Sequence, residues 1–184
     1  GYLNMSLSAA HSLLGIINDI LDLARIEAGR LELDEVEFSP RALVVETAEM
    51  MRVQAEKKGL SLASDIAAGT PDPLLGDPGL LRQVLINLIG NAVKFTERGG
   101  ITVRLEVTRP GSSEQGNTGS KTTDLAMLVL SVKDTGIGIP AEMHDSIFEK
   151  FTQADSSTRR AYGGTGLGLA ICRELALKMN GEMS

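Results

Sequence analysis

Several residue types are scarce or missing in this chain of 184 residues, and each scarcity excludes particular classes of protein. Tryptophan is absent, aromatic residues make up only 3%, and Cys172 is the single cysteine. A lone cysteine excludes an internal disulfide framework, and with no charged-then-apolar leader in sight we expect a reducing, cytoplasmic compartment. No apolar run approaches the roughly 20 residues that cross a bilayer, so we expect no membrane-embedded segment in this stretch.

Positive charge is also in short supply. The chain has 18 lysines and arginines against 24 aspartates and glutamates, for a net charge of −6. Proteins that track nucleic-acid phosphates normally present a net basic face, so we expect no nucleic-acid partner. A hydrophobic content of 42% is that of an ordinary globular protein with a core. The length then predicts one globular domain with an appended element.

The appended element is an N-terminal amphipathic helix that Gly29 would end. Its apolar residues recur at alternating steps of four and three, the pattern of a packed helix seam. The seam consists of Leu3, Leu7, Ala10, Leu14, Ile17, Leu21, Ala24 and Ala28, and is widened by Leu13, Ile16, Ile20 and Leu23. One partner helix cannot cover so broad a stripe, so we expect a multi-helix bundle made by dimerisation.

The rest of the chain mixes strand and helix patterns. Alternation predicts strands at 30–38, 60–66, 99–107 and 125–132, and turn-forming residues predict loops at 69–79 and 109–124, the second of them mobile. Ser39 and Asp77 are expected helix N-caps, Gly59 is an expected helix stop, and a last helix should begin near Thr165. Helices covering one sheet make a two-layer α/β sandwich, of the α+β class.

A first candidate stretch is "NLIGNAVKF", which brings Asn87, Asn91 and Lys94 close to one helical face. Asparagines on an otherwise apolar helix are costly unless their amides find partners. A magnesium ion with phosphate oxygens would supply them, because Mg²⁺ prefers oxygen ligands and the Asn91 carbonyl qualifies. Helix caps or buried hydrogen bonds would also explain these residues.

Two further stretches are rich in glycine. In "DTGIGIP", Asp134 follows a strand, and its carboxylate can accept a hydrogen bond from an exocyclic amine such as that of adenine. In "GGTGLGLA", glycines lead into a helix, where exposed N–H groups and the helix dipole suit a polyphosphate. On its own, "DTGIGIP" would also fit an ordinary turn, and "GGTGLGLA" on its own is weak evidence for a polyphosphate site.

Taken in order, these stretches resemble the N, G1, F and G2 boxes of sensor histidine kinases, in the GHKL superfamily. The matching segments are "NLIGNAVKFT", "DTGIGIP", "IFEKFTQADSS" and "GGTGLGLA". The resemblance covers nearly the whole chain and implies the GHKL (Bergerat) ATP-binding fold, a helix-on-sheet sandwich. It implies that residues 1–29 are the second helix of the dimerisation and histidine-phosphotransfer hairpin, and that residues 30–184 are the ATP-binding catalytic domain, which in the family continues through further strands.

The resemblance also implies site residues, with ATP and Mg²⁺ as ligands. Asp134 would bind the adenine amino group, Phe95 would wall the base, Asn91 would be the metal ligand, and Asn87 and Lys94 would support the phosphates. The glycine-rich stretches would contribute Gly136, Gly138, Ile139, Gly164, Thr165, Gly166, Leu167, Gly168 and Leu169. A lid would span 141–163, anchored by Phe148 and Phe151. Arg160, or Arg159 in its place, would contact the γ-phosphate together with Lys94.

Asn87 distinguishes a kinase from an ATPase within this superfamily. Gyrase-type topoisomerases and MutL-type repair proteins, like the mitochondrial-type protein kinases, carry a glutamate there, and an amide cannot serve as the base that activates water. The resemblance therefore implies transfer to a protein histidine and relay to a response regulator receiver domain. The alternatives are a GHKL ATPase or a nucleotide-binding module, such as an anti-sigma type, without histidine kinase activity.

His11 is not expected to be the phosphate acceptor. The acceptor histidine of the family is followed by an acidic residue and then a proline, whereas His11 is followed by "SLL". We therefore expect the acceptor histidine on a hairpin helix outside this stretch. The broad apolar stripe of the N-terminal helix separately predicts a homodimer through these helices. Cys172 and His144 are expected to be a core residue and a solvated lid residue. Attachment of the parent protein to the inner face of the cell membrane stays open.

Overall fold

The computed structural model describes residues 2–108, 127–152 and 165–184. Its helices are α1 (Tyr2–Glu27), α2 (Pro40–Lys57), α3 (Pro78–Phe95) and α4 (Gly168–Lys178). Its strands are β1 (Val36–Phe38), β2 (Ser61–Ile66), β3 (Leu74–Gly76), β4 (Gly100–Thr108) and β5 (Met127–Asp134), and two short 3-10 helices span Ala141–Met143 and Ser146–Phe148. The loop expected at 109–124 and residues 153–163 of the expected lid lie outside the described residues.

One face of a three-stranded sheet is covered by α2 and α3. The strand order is β2, β4, β5, with β2 parallel and β5 antiparallel to the central strand. Along β4, Ile101, Val103 and Leu105 are buried, as the two-residue period of a strand with one covered face requires. They pack with buried residues of the two helices, including Leu85 and Ile89 of α3. The expected two-layer α/β sandwich is confirmed.

The expected ends of the middle helices are confirmed. Ser39 accepts a hydrogen bond from the Ala42 N–H at 3.1 Å, and Asp77 accepts one from the Leu80 N–H at 3.0 Å. After α2, Gly59 adopts a positive φ of 72°, which the chain uses to leave the helix. These local signals position α3, and therefore the asparagines that it carries.

Four details of the sequence-based expectation were wrong. The strand expected over 30–38 is only Val36–Phe38, and it pairs antiparallel with Leu74–Gly76, inside a stretch expected to be a loop. The last helix begins at Gly168 rather than near Thr165, because Gly166 has a positive φ of 70° and is therefore not helical. His144 lies in a turn between the 3-10 helices instead of on a lid helix, with Nε2 3.1 Å from the Ile139 carbonyl oxygen.

The C-terminal end of α1 packs against the sandwich. Leu23 is buried in a second apolar cluster with Leu167, Ile171 and Cys172 around α4, which confirms Cys172 as a core residue. The Gln83 amide donates a hydrogen bond to the Asp22 carboxylate at 2.6 Å. Within the described residues, no helix is both long and apolar enough to cross a membrane.

The middle of α1 leaves a row of large apolar side chains exposed. The exposed residues are Leu13, Leu14, Ile16, Ile17, Ile20 and Leu21. This face coincides with the seam that the sequence predicts, and the bundle that would cover it stays a prediction, as does the domain boundary at residue 29.

Candidate functional site

The polar face of α3 forms one wall of the candidate site. Asn87, Asn91 and Lys94 are half-buried on this face, while Leu85 and Ile89 point into the core from the opposite side. Across the described ranges, neither asparagine side chain has a hydrogen-bond partner. A half-buried amide without a partner is unfavourable, so this face is suited to a ligand that offers both hydrogen-bond donors and oxygen atoms.

Lys94 adds a partly desolvated positive charge to the same wall. Burial lowers the pKa of Lys94, because it disfavours the charged ammonium. Its Nζ lies 4.7 Å from the centroid of the Phe95 ring, whose face offers a weak attraction to a cation. An anion at this wall would stabilise the charged form of the lysine, so the wall favours phosphate.

The end of α3 is capped by a residue that sequence reasoning missed. The Lys58 ammonium, at the end of α2, donates to the Val93 carbonyl at 2.8 Å and to the Lys94 carbonyl at 3.0 Å. A cation satisfies the last carbonyls of a helix and complements the negative end of its dipole. No local pattern around Lys58 signals this role, since the partner helix lies more than thirty residues away in the chain.

A second wall is the loop that follows β5. Asp134 is the last residue of that strand, and its Oδ1 accepts a hydrogen bond from the Gly136 N–H at 2.7 Å. Gly136 lies against the end of α3, where a Cβ added to it would lie only 2.6 Å from the Phe95 carbonyl oxygen. The Ile137 N–H approaches the same oxygen at 3.4 Å. The structure thus brings Asp134 and Phe95 to one place, as the sequence predicts.

The continuation of this loop is exposed. Gly138 has a positive φ of 70° with no atom within 4 Å of an added Cβ, and Ile139 is 47% exposed. Both residues therefore lie on an open surface of the loop that follows Asp134, where an apolar side chain such as that of Ile139 could cover a planar ring.

A third wall is the start of α4. A Cβ added to Gly168, the first residue of the helix, would lie 4.0 Å from Cγ of Asn87, so the helix begins directly beside the polar face of α3. The Leu167 N–H donates to Thr165 Oγ1 at 3.1 Å, and Leu167 itself is buried. Leu169 is half-buried in the first turn. The first N–H groups of an α-helix have no partner within the helix and can bind an anion.

Some expected site residues cannot be located. Gly164 and the two arginines, Arg159 and Arg160, lie outside the described residues, so their roles stay predictions. Gly166 is described, and a Cβ there would lie 3.0 Å from both the Phe151 carbonyl carbon and the Thr152 oxygen. Residues 151–152 of the lid segment thus pack directly on the glycine-rich stretch before α4.

The two phenylalanines expected to anchor the lid behave differently. Phe148 is half-buried, and its ring centroid lies 5.9 Å from the guanidinium carbon of Arg173 on α4. Phe151 is held through its backbone, whose N–H donates to the Gly166 carbonyl at 3.1 Å, and the residue is 67% exposed. Its anchoring role therefore rests on this backbone contact and stays a prediction.

The site offers few carboxylates for a metal. Among residues 2–108, 127–152 and 165–184, no group of three or more histidine, cysteine, aspartate or glutamate side chains is arranged to hold a metal ion. The donor set at α3 consists of amide oxygens, which suit Mg²⁺ when phosphate and water oxygens complete its octahedron. The residues present therefore fit a metal that arrives with a nucleotide.

Comparison with known proteins places these walls in a family context. Residues 76–184 match the family described as histidine kinase-, DNA gyrase B- and HSP90-like ATPase. The chain is 38% identical over 183 residues to the signal transduction histidine-protein kinase BarA of Escherichia coli, covering 100% of this chain and 19% of that protein. It is 41% identical over 184 residues to hybrid signal transduction histidine kinase L of Dictyostelium discoideum, covering 100% of this chain and 10% of that protein.

The fold of one solved structure matches nearly the whole of this chain. Full-length ShkA in complex with AMPPNP superimposes with a TM-score of 0.78 at 34% identity, covering 97% of this chain and 34% of that one. The chain thus spans about a fifth of the length of BarA and about a third of that of ShkA.

Proposed function

Because the chain belongs to the family of histidine kinase-, DNA gyrase B- and HSP90-like ATPases, as a catalytic ATP-binding domain of the sensor histidine kinase type, we propose that it binds Mg²⁺-ATP between its three walls and supports γ-phosphate transfer to a protein histidine. The observation that carries the proposal is the convergence of α3, the loop after Asp134 and the start of α4. Gly168 at the start of α4 lies beside Asn87, and Gly136 in the loop lies against the Phe95 carbonyl.

The adenine end of the site would be the loop after β5. The Asp134 carboxylate is oriented by the Gly136 N–H and would accept a hydrogen bond from the exocyclic amine of the base. Phe95 and Ile139 would cover the ring, with Gly138 leaving room beside it. Only glycine fits at 136, because a larger residue would push this loop away from α3.

The phosphate end would be the start of α4 and the polar face of α3. The N–H groups from Gly164 to Leu169 would donate to the triphosphate, with Gly166 and Gly168 allowing close approach. Asn91 would contribute an oxygen ligand to Mg²⁺, and Asn87 and Lys94 would support the phosphates beside it. When bound, the metal would neutralise charge on the phosphate oxygens. Arg160 or Arg159 would add positive charge at the γ-phosphate.

Asn87 supports transfer rather than hydrolysis. Its amide lies beside the start of α4, where an ATPase of this superfamily would need a carboxylate to activate water, and an amide cannot accept that proton. BarA and hybrid signal transduction histidine kinase L are both named as histidine kinases. A GHKL ATPase or a nucleotide-binding module without kinase activity is therefore not favoured.

The remaining parts of the reaction would lie on partners. The proposed acceptor is a histidine on the other helix of the α1 hairpin rather than His11, and the exposed face of α1 supports a homodimer through these helices. A response regulator receiver domain would then accept the phosphoryl group. The proposed compartment is the cytoplasm, and attachment of the parent protein to the inner face of the membrane is proposed only as an option.

Calorimetric titration tests the nucleotide site. Asp134→Ala should weaken Mg²⁺-ATP binding about ten- to hundredfold, because a charged hydrogen bond contributes about 1.5–3 kcal/mol. Asp65→Ala is the matched control, since that exposed aspartate on β2 pairs only at 3.5 Å with Arg104. Equal affinities for the wild type and Asp134→Ala would remove Asp134 from the adenine site.

Labelling with ATP tests the transfer. Incubation of the chain alone with γ-labelled ATP should leave no acid-labile phosphohistidine, and addition of the parent protein's hairpin should yield one on the hairpin. Label on His11 would overturn the acceptor assignment. Rapid steady-state release of phosphate by the chain alone would favour the ATPase alternative instead.

A further inference from the structure

The loop that carries Asp134 is tied to the rest of the domain through its neighbour Thr135. The Thr135 hydroxyl donates to the Arg98 carbonyl at 3.0 Å and accepts from the Gly100 N–H at 3.1 Å. Both partners belong to residues 98–100, where the turn after α3 runs into Gly100, the first residue of β4. One side chain thus joins the candidate adenine loop to the segment that directly follows the helix carrying Asn87 and Asn91.

The turn is shaped around this hydroxyl. Gly99 has a positive φ of 106°, and a Cβ added there would overlap Thr135 Oγ1. The side chain therefore occupies the space that any larger residue at 99 would need. Because β4 and β5 also pair beside it, with Ile101 opposite Asp134, the position of the loop is determined on two sides.

We propose that Thr135 is a positioning residue for adenine recognition, holding the Asp134 carboxylate against the end of α3 through its two hydrogen bonds to the turn at 98–100. The inference rests on the proposed function, since it assigns Asp134 to the exocyclic amine of the base. Gly136 holds one oxygen of that carboxylate at 2.7 Å, and the other has no partner in the described part of the chain. The direction in which this second oxygen of Asp134 points depends on the position of the loop.

The chemistry of the side chain makes the role testable by paired variants. Thr135→Val keeps the shape but can neither donate nor accept, so it loses both bonds to the turn. Thr135→Ser keeps the hydroxyl and should retain them. The hydroxyl is exposed, so water can replace it at Arg98 and Gly100, and we expect the valine variant to fold.

The discriminating measurement compares ATP with inosine triphosphate, which has a carbonyl in place of the exocyclic amine. Thr135→Val should weaken Mg²⁺-ATP binding about three- to tenfold, the loss expected for a hydrogen-bond network of modest net value. Binding of inosine triphosphate should change less than about twofold, because that base has no amine for Asp134. Thr135→Ser should restore the wild-type preference for ATP.

A double-mutant cycle checks that Thr135 acts through Asp134. In an Asp134→Ala background, Thr135→Val should cause no further loss of ATP affinity. Equal losses for the two nucleotides, a further loss in that background, or no loss at all would each overturn the inference. If the valine variant does not fold in a thermal scan, Thr135→Ala takes its place, since it also lacks the hydroxyl but puts no methyl group where the hydroxyl was.

Failure of this inference is distinguishable from failure of the proposed function. If the wild type binds no ATP, or Asp134→Ala binds it equally well, the nucleotide site itself is wrong. If both behave as proposed and Thr135→Val keeps the wild-type preference for ATP over inosine triphosphate, only the positioning role is wrong.

Discussion

Gly136→Ala is the smallest change that should damage the adenine loop. The added Cβ would lie 2.6 Å from the Phe95 carbonyl oxygen and 2.7 Å from Asp134 Oδ1, whereas ordinary van der Waals contact begins at 3.4 Å. The loop must therefore move by about 0.8 Å, a displacement typical of an overpacked site. Phe95 cannot easily retreat, because Lys58 holds the carbonyls of the two preceding residues.

The size of the effect follows from these contacts. Overpacking costs about 1–3 kcal/mol of folding free energy. Displacement of Asp134 would also remove a charged hydrogen bond to the base, so ATP affinity should fall about ten- to hundredfold. The loss of affinity and the loss of stability arise from the same overlap and should appear together.

The assay pairs titration of Mg²⁺-ATP with denaturant unfolding of the nucleotide-free protein. Gly69→Ala is the control, since an added Cβ there has no atom within 4 Å and the residue has no positive φ. It should leave ATP affinity unchanged and should not lower stability, because alanine at a compatible position restricts only the unfolded chain. The reasoning is refuted if Gly136→Ala binds ATP like the wild type and unfolds at the same denaturant concentration.

Two further predictions concern charged residues. Burial lowers the pKa of Lys94 below 10.5, so the unfolded chain binds more protons between the lowered pKa and 10.5, and unfolding free energy should rise with pH across that window. Lys94→Met should flatten this rise, keep or raise stability at neutral pH and weaken ATP binding; urea unfolding at several pH values with titration measures all three, and an unchanged slope would contradict the stated cause. Glu27→Gln should return the pKa of Lys150 towards its usual value, because the side-chain hydrogen bond from Lys150 to Glu27 is the main reason that this pKa is raised. Nuclear magnetic resonance titration of the lysine side chain would show it, and an unmoved pKa would argue against contact between α1 and residue 150 of the lid segment.

Elements marked by local signals could be predicted from the sequence. Asp77 and Pro78 begin α3, and Ser39 and Pro40 begin α2, because a capping oxygen and a proline act within one turn. The alternating residues of β4 predicted a strand with one covered face. In each case the determining contacts lie within a few residues of the signal.

Elements that depend on distant partners could not be predicted. Val36–Phe38 and Leu74–Gly76 are only three residues each, too short for alternation to distinguish them from loop, and they are strands because they pair with each other. The late start of α4 depends on Gly166 packing against the lid segment at Phe151, a contact that spans fifteen positions. Such pairings leave no mark on the local pattern.

The site shows the same division. Motif resemblance predicted Asn87, Asp134 and Gly168 as site residues. In the structure Gly168 lies beside Asn87, and the loop after Asp134 lies against the end of α3. The supporting contacts of Lys58 and Thr135 were missed, because each uses backbone atoms of a remote segment as its partner. Backbone carbonyls and N–H groups are present at every residue, so no sequence pattern identifies which one a side chain will meet.

The arrangement of α3 explains how the fold tolerates an unfavourable polar face. Fully burying a leucine or isoleucine contributes about 1.5–3 kcal/mol, and Leu85 and Ile89 are both fully buried on the core side of this helix. That contribution offsets the cost of the amides of Asn87 and Asn91, which have no partner among the described residues, and of a lysine held partly away from water. A ligand that pairs with these groups removes the cost only in the folded state. Nucleotide binding and fold stability are therefore coupled through one helix, with its core face supplying stability and its site face holding groups that a phosphate-bearing ligand would satisfy.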